Sequence, residues 1–143
     1  MNHWFKKWQK KRTEPAHLKS GRWGEHLALR LLKKKKYRIE GERVRVGRHD
    51  EIDLIAWQDD ILVFVEVKTR KNERFGRPVT AVNSAKRKRL SRAAVAYLRK
   101  MPKHPNYIRF DVVEVIGEPK KPHPEIRHLE NVFPLDASYR LWW

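Results

Sequence analysis

The chain has 143 residues, a length that suits one domain with a genuine core. Its 34 Lys and Arg against 17 Asp and Glu give a formal net charge of +17. That balance points to a polyanionic partner, nucleic acid first and an anionic membrane surface second. With no cysteine, disulfides and thiolate metal sites are excluded, consistent with a reducing compartment. The longest aliphatic or aromatic run, Ile61 to Val65, is far too short to span a bilayer. No apolar segment follows the charged N-terminus, so a secretory signal is not expected and the default location is cytoplasmic.

Residues 1–19 are basic and read as a tail outside the core. Trp4, Phe5 and Trp8 fit one face of a short helix, which would suit an arm that stacks on bases or lies on a membrane. Gly21 to Lys33 reads as the first helix, with Ser20 as its N-cap. Trp23, Leu27 and Leu31, broadened by Ala28 and Leu32, form its buried arc. Glu25 falls at the edge of that arc, either as an ordinary first-turn acid favoured by the helix dipole or as a group aimed at a site. Lys33 to Lys36 close the helix, where cations are favourable. A first strand is expected around Tyr37 to Val46, then a turn at Gly47-Arg48-His49-Asp50. His49 reads as a turn residue, because no second histidine has metal-site spacing to it.

The next stretch, DLIAWQDDILVFVEVK from Asp53 to Lys68, is the most informative. Two apolar runs flank Gln58-Asp59-Asp60, which suits a hairpin turn. ILVFVEV is apolar on both parities, as expected of a central strand covered on both faces. Glu66 and Lys68 share a face, roughly 6–7 Å apart along the strand. A tight hairpin sets Asp53 opposite a residue between Phe64 and Glu66, and one such register brings Asp53 beside Glu66. Glu51 shares the face of Asp53 and is a reserve ligand. Two carboxylates converging beside a lysine suit Mg²⁺ and a phosphoryl centre: the acids hold the metal and the ammonium meets developing charge. The alternative is a wet, charged sheet edge, whose exposed pairs would be worth about 0–1 kcal/mol. A strand apolar on both faces favours the site.

Thr69 to Ser84 is a polar loop containing Phe75-Gly76-Arg77-Pro78, long enough to cover a site. Asn83 or Ser84 caps a second helix, roughly residues 85–101, with Leu90, Ala93, Ala94, Tyr97, Leu98 and Met101 facing the sheet. Lys88, Arg92 and Arg99 lie outward, either holding phosphates or simply solvated. Lys86 lines up with the buried stripe and should emerge at the sheet end or let its stem snorkel. Tyr107 to Ile116 is another apolar strand, a proline-rich loop follows, and Glu125 to Phe133 is an edge strand. Leu141-Trp142-Trp143 ends an aromatic tail, residues 134–143. Three strands in sequence suggest an antiparallel meander; the helical crossover to the fourth makes the sheet mixed.

Asp53, then Glu66-Val67-Lys68, behind a helix bearing Glu25, resembles the PD-(D/E)XK nuclease superfamily. GRWGEHLALRLL, DEIDLIAW, LVFVEVKTR, FGRPVTAV and RFDVVEV resemble, more narrowly, the YraN-like family of small bacterial proteins, related to archaeal Holliday-junction resolvases. The match covers about residues 20–133, the expected nuclease-like domain. It implies an α/β fold with a restriction-endonuclease-like αβββαβ core, a mixed central sheet flanked by helices. By position it implies Asp53 and Glu66 as ligands of Mg²⁺ or Mn²⁺, Lys68 as the catalytic lysine and Glu25 as the helix acid. Two positions depart from the family pattern: Asp50 and Lys36 stand where glycine is usual.

The expected function is therefore a metal-dependent endonuclease acting on structured, branched or duplex DNA, with Lys86, Lys88, Arg92 and Arg70 binding nucleic acid and a homodimer left open. The alternative from a different class is a nucleic-acid-binding module whose site is vestigial or needs a partner; its binding should fall steeply with salt. A membrane-surface role for Trp4, Phe5 and Trp8 is the weaker third reading. No Walker A loop, dinucleotide-binding glycine pattern, G-x-S-x-G or helical histidine pair is present.

Overall fold

A computed structural model describes residues 15–143. A helix, α1 (Ala16–Lys34), precedes three strands, β1 (Arg38–Val46), β2 (Asp50–Gln58) and β3 (Ile61–Arg70). A 3-10 turn (Pro78–Ala81), a second helix, α2 (Ser84–Lys100), and the strands β4 (Tyr107–Ile116) and β5 (Glu125–Phe133) follow. The strands form one sheet in the order β1-β2-β3-β4-β5. β1, β2 and β3 make an antiparallel meander, β3 and β4 pair in parallel across the α2 crossover, and β5 returns antiparallel. This is the expected α/β architecture, a restriction-endonuclease-like αβββαβ core with a fifth strand at its edge.

Each helix covers one face of the sheet, which is why β3 and β4 are apolar on both parities. Under α1, Ala28, Leu29 and Leu32 pack against Leu54, Ala56, Val63, Val65, Val113 and Val115. Under α2, Leu90, Ala93, Ala94 and Leu98 pack against Ile55, Leu62, Phe64, Phe110 and Val112. The hairpin turn closes as expected, with Gln58 opposite Ile61 and Asp59 at a φ of 53°. Asn83 caps α2, its side-chain oxygen accepting from the Lys86 N–H at 3.0 Å.

The start of α1 differs from the sequence expectation. The helix begins at Ala16 rather than Gly21, so Ser20 lies inside it, and Pro15 occupies the N-cap without a side-chain cap bond. The extra first turn is exposed and carries no apolar stripe, so periodicity could not reveal it. Trp4, Phe5 and Trp8, and with them the expected arm or membrane contact, lie outside the described residues. The C-terminal aromatics turn back: the Trp143 ring stacks on His104 at 4.2 Å, and Leu141 packs against the α2-side core. No helix among the described residues is long and apolar enough to cross a membrane.

Lys36 ends α1 at a φ of 69°, the left-handed region. The Tyr37 N–H reaches back to the Leu32 carbonyl and the Lys36 N–H to the Lys33 carbonyl, both at 3.0 Å, which is a Schellman closure. Glycine is the residue that closure favours, because a Cβ is strained there. Lys36→Gly is therefore expected to raise stability by about 0.5–1 kcal/mol in urea unfolding, despite the entropy that glycine adds to the unfolded chain.

Candidate functional site

β2 and β3 pair from Gln58↔Ile61 as far as Leu54↔Val65, and there the ladder ends. Of the registers open to the hairpin, this one carries Asp53 next to Glu66. In place of a ladder bond, the Val67 N–H donates to Asp53 Oδ2 at 2.8 Å across the fork. Beyond it, β3 continues to pair with β4 through Arg70↔Ile116, so Glu66 and Lys68 stand on a strand held from one side only.

Glu66 is buried, with 5% of its surface exposed, and its Oε1 is ion-paired with two ammonium groups. Lys68 Nζ lies at 3.1 Å and Lys86 Nζ, from α2, at 3.0 Å. Lys86 thus reaches the sheet end, as its place on the buried stripe implied, and joins the carboxylate cluster directly. The Asp53 carboxyl is pushed up to about 8, first by burial, then by the Glu66 charge, against the pull of the Val67 N–H. Burial and the neighbouring charge thus both favour the protonated form of Asp53.

Glu25, expected as the helix acid of the site, faces the same cleft, where its Oε2 accepts from Arg43 Nε at 2.5 Å. Its neighbour Gly24 lets α1 approach β3: a Cβ there would collide with the Thr69 side chain. Among the described residues no group of three or more His, Asp or Glu side chains has metal-holding geometry. Two adjacent carboxyl groups are nevertheless a donor set that a hard divalent cation accepts, completing its shell with water and phosphate oxygens. Such a cation would displace the Asp53 proton.

Three clefts meet around this cluster. One, of about 760 Å³, runs from Glu25, Asp53 and Glu66 to Lys68, Arg70 and Lys71. A second, about 590 Å³, is lined by Lys68, Lys86, Lys88, Arg89 and Arg92. The third, smaller, at about 200 Å³, joins Asp53 and Glu66 to Asp50, Glu51, Lys86 and Arg89. Lys88 and Arg70 are exposed, and Arg70 Nη1 donates to the Thr69 carbonyl at 2.8 Å. Arg92 is already engaged: its Nε and Nη2 donate to the two oxygens of Asp50, both at 2.8 Å. That bond holds the Asp50 carboxyl below its ordinary range and ties α2 to the start of β2, at the position where glycine was expected. Glu51 lines the smallest cleft but pairs with Arg45 at 3.8 Å. Sequence reasoning missed Arg89, which borders two of the clefts. Its spacing of three from Lys86, which puts both on one helix face, could have identified it.

The Asp53 proton makes a stability test. An acid whose folded pKa is raised is carried without cost below its unfolded value and weighs increasingly against folding as pH rises towards the folded value. Asp53→Asn, which mimics the protonated acid, is therefore expected to match wild type near about pH 4. It should exceed wild type by about 1–3 kcal/mol near about pH 9, after allowance for water in the cleft. Chemical unfolding in chelator across that range reads the difference.

Comparison with known proteins identifies the family. The model of the uncharacterised protein family UPF0102 matches residues 24–115, which contain every group of the carboxylate cluster. A UPF0102 protein of Syntrophomonas wolfei is 45% identical over 113 residues, covering 79% of this chain and 96% of its own length. One from Symbiobacterium thermophilum is 50% identical over 95 residues, 66% of this chain and 80% of that protein. A third, from Koribacter versatilis, is 42% identical over 126 residues, 87% and 86% of the two chains. With the αβββαβ core and matches of this extent, the chain belongs to the uncharacterised protein family UPF0102, the YraN family.

Proposed function

We propose that this chain binds nucleic acid and is a metal-dependent endonuclease that hydrolyses phosphodiester bonds in structured DNA. One observation carries the proposal: Asp53 and Glu66 converge where β2 and β3 part, and Lys68 stands on Glu66 at 3.1 Å. Asp53 and Glu66 would hold Mg²⁺ or Mn²⁺, which, when bound, activates a water and neutralises phosphoryl charge. Lys68 and Lys86 balance Glu66 in the free protein and supply the cations for charge developing on the phosphoryl oxygens. Arg43 holds Glu25 at the rim of the cleft. Lys88, Arg70 and Arg89 draw in the sugar-phosphate backbone, in keeping with the net charge of +17.

A second reading is a nucleic-acid-binding module that does not cut. It is favoured by the saturation of Glu66 Oε1 by two lysines, which leaves one fewer free donor for a metal. Incubation of the purified protein with branched, duplex and single-stranded DNA, in Mg²⁺, in Mn²⁺ and in chelator, separates the two. Metal-dependent cleavage that Asp53→Ala abolishes supports the endonuclease. Salt-sensitive binding without cleavage under any of these conditions leaves the module.

A further inference from the structure

Phe75 is 97% exposed, an unusual position for an apolar ring of that size in a chain with a well-filled core. The loop that presents it is anchored at both ends. The Gly76 N–H closes a turn onto the Glu73 carbonyl at 3.0 Å, and Gly76 takes a φ of 106°. Before the ring, the Glu73 carboxylate pairs with Arg127 of β5. After it, Arg77 Nη2 and the Val79 N–H both donate, at 2.9 Å, to the fully buried Glu114 of β4. A buried carboxylate with this many partners fixes the far end of the loop.

The surroundings are cationic. From Arg70 to Arg77 the chain reads RKNERFGR, four cations to one acid; Glu73 is committed to Arg127, Arg77 to Glu114, and Lys71 lies 3.9 Å from Glu118, which leaves a cationic excess on the loop. Arg70 and Lys71 also line the cleft of Asp53, Glu66 and Lys68, so the loop leaves directly from the carboxylate site. Hydrophobic exposure of a protein-docking kind would be expected to bring apolar neighbours. Here the ring stands on a loop whose sequence neighbours are cationic, with Arg74 immediately before it and Arg77 two residues after. An apolar ring on an anchored cationic loop has the form of a wedge that enters a base step while its neighbours hold the backbone.

We propose that Phe75 is a base-unstacking wedge: it inserts where stacking is already interrupted, at a junction, nick or flap, and so confers a preference for branched over continuous DNA. The proposal rests on the nucleic-acid reading of the cleft but does not require cleavage. Unstacking is least costly where a base step is already broken, which is the physical basis of the preference.

The test uses the full chain in chelator, with a four-way junction and a continuous duplex, each carrying 2-aminopurine. Wild type should raise the fluorescence at the branch point by more than about twofold, with little change in the continuous duplex. Phe75→Ala should abolish that rise and weaken junction binding by about tenfold, while duplex binding stays within about twofold. Phe75→Leu, which keeps an apolar wedge, should restore most of the signal. Junction binding with no change in 2-aminopurine emission would overturn the wedge and leave the endonuclease proposal standing. So would a Phe75→Ala defect that tracks the loss of a dimer in sedimentation, with emission unaffected. Conversely, a wild-type signal without cleavage in any metal would support the wedge and sink the endonuclease.

Discussion

In Mg²⁺, Asp53→Ala and Lys68→Ala are each expected to lower single-turnover cleavage of a branched DNA by about a thousandfold or more, with binding in chelator retained within about threefold. The reason is geometric. Asp53 lies at the fork of β2 and β3 and Lys68 on one flank of the cluster, so neither alanine removes the basic clefts that attract DNA. Losing Asp53 leaves Glu66 as the lone carboxylate donor, already shared by Lys68 and Lys86. Losing Lys68 leaves Lys86 as the one remaining ammonium on Glu66, so charge developing on the phosphate meets half the positive charge. The double variant should be hardly slower than either single one, because groups that act as a unit are strongly non-additive. Anisotropy measured against salt should give the wild-type slope for Asp53→Ala and a slope smaller by about one for Lys68→Ala, which removes a cation lining both basic clefts. Cleavage by Asp53→Ala at the wild-type rate would place the chemistry outside this cluster.

Asp111→Ala is expected to cost about 3–5 kcal/mol, a large part of the 5–15 kcal/mol that holds a typical domain. Asp111 is buried on the α1 side of β4 and has four donors. Arg109 gives two bonds, at 2.8 and 3.0 Å, His128 Nε2 one at 2.7 Å and the Asn131 N–H one at 2.9 Å. The Lys35 ammonium can only donate and lies 2.8 Å from His128 Nδ1, so the ring accepts there and its Nε2–H faces Asp111. Arg109 in turn donates to the Tyr37 hydroxyl at 2.9 Å and to Gln58 at 2.7 Å. Alanine would leave a ring N–H and a backbone N–H without an acceptor and deprive the half-buried Arg109 guanidinium of its carboxylate. Burial raises the Asp111 carboxyl, yet the bonds from His128, Arg109 and Asn131 outweigh it and hold the group below its ordinary range. A depressed acid contributes fully above its unfolded pKa, near 3.8, and loses that contribution as pH falls through the lower folded value. The gap between wild type and Asp111→Asn in urea unfolding should therefore narrow below about pH 4.

Much of this was legible in the residues themselves. Alternation and helical spacing identified both α-helices and all five strands, though not the 3-10 turn at Pro78–Ala81, because a sheet covered on both faces writes its burial into β3 and β4 and an amphipathic helix writes its stripe into α2. The first turn of α1 escaped, being exposed and aperiodic, and so did the partners of Asp111 and Glu114. Buried acids inside RFDVVEV break a hydrophobic pattern without saying what satisfies them; Arg77, Arg109, Arg127 and His128 arrive from distant parts of the chain.

By itself, the order of residues determined the architecture, the family and the chemical identities of Asp53, Glu66 and Lys68, since these depend on periodicity and on local motifs. Only the folded arrangement decided that the Leu54↔Val65 register sets the two acids together, that Lys86 completes the cluster, that Glu25 answers to Arg43 and that Arg92 is spent on Asp50. Those outcomes depend on where strands fork and helices cross. A one-residue slip between β2 and β3 would reverse the faces, and spacing along one segment carries no record of which side chain another segment brings to it.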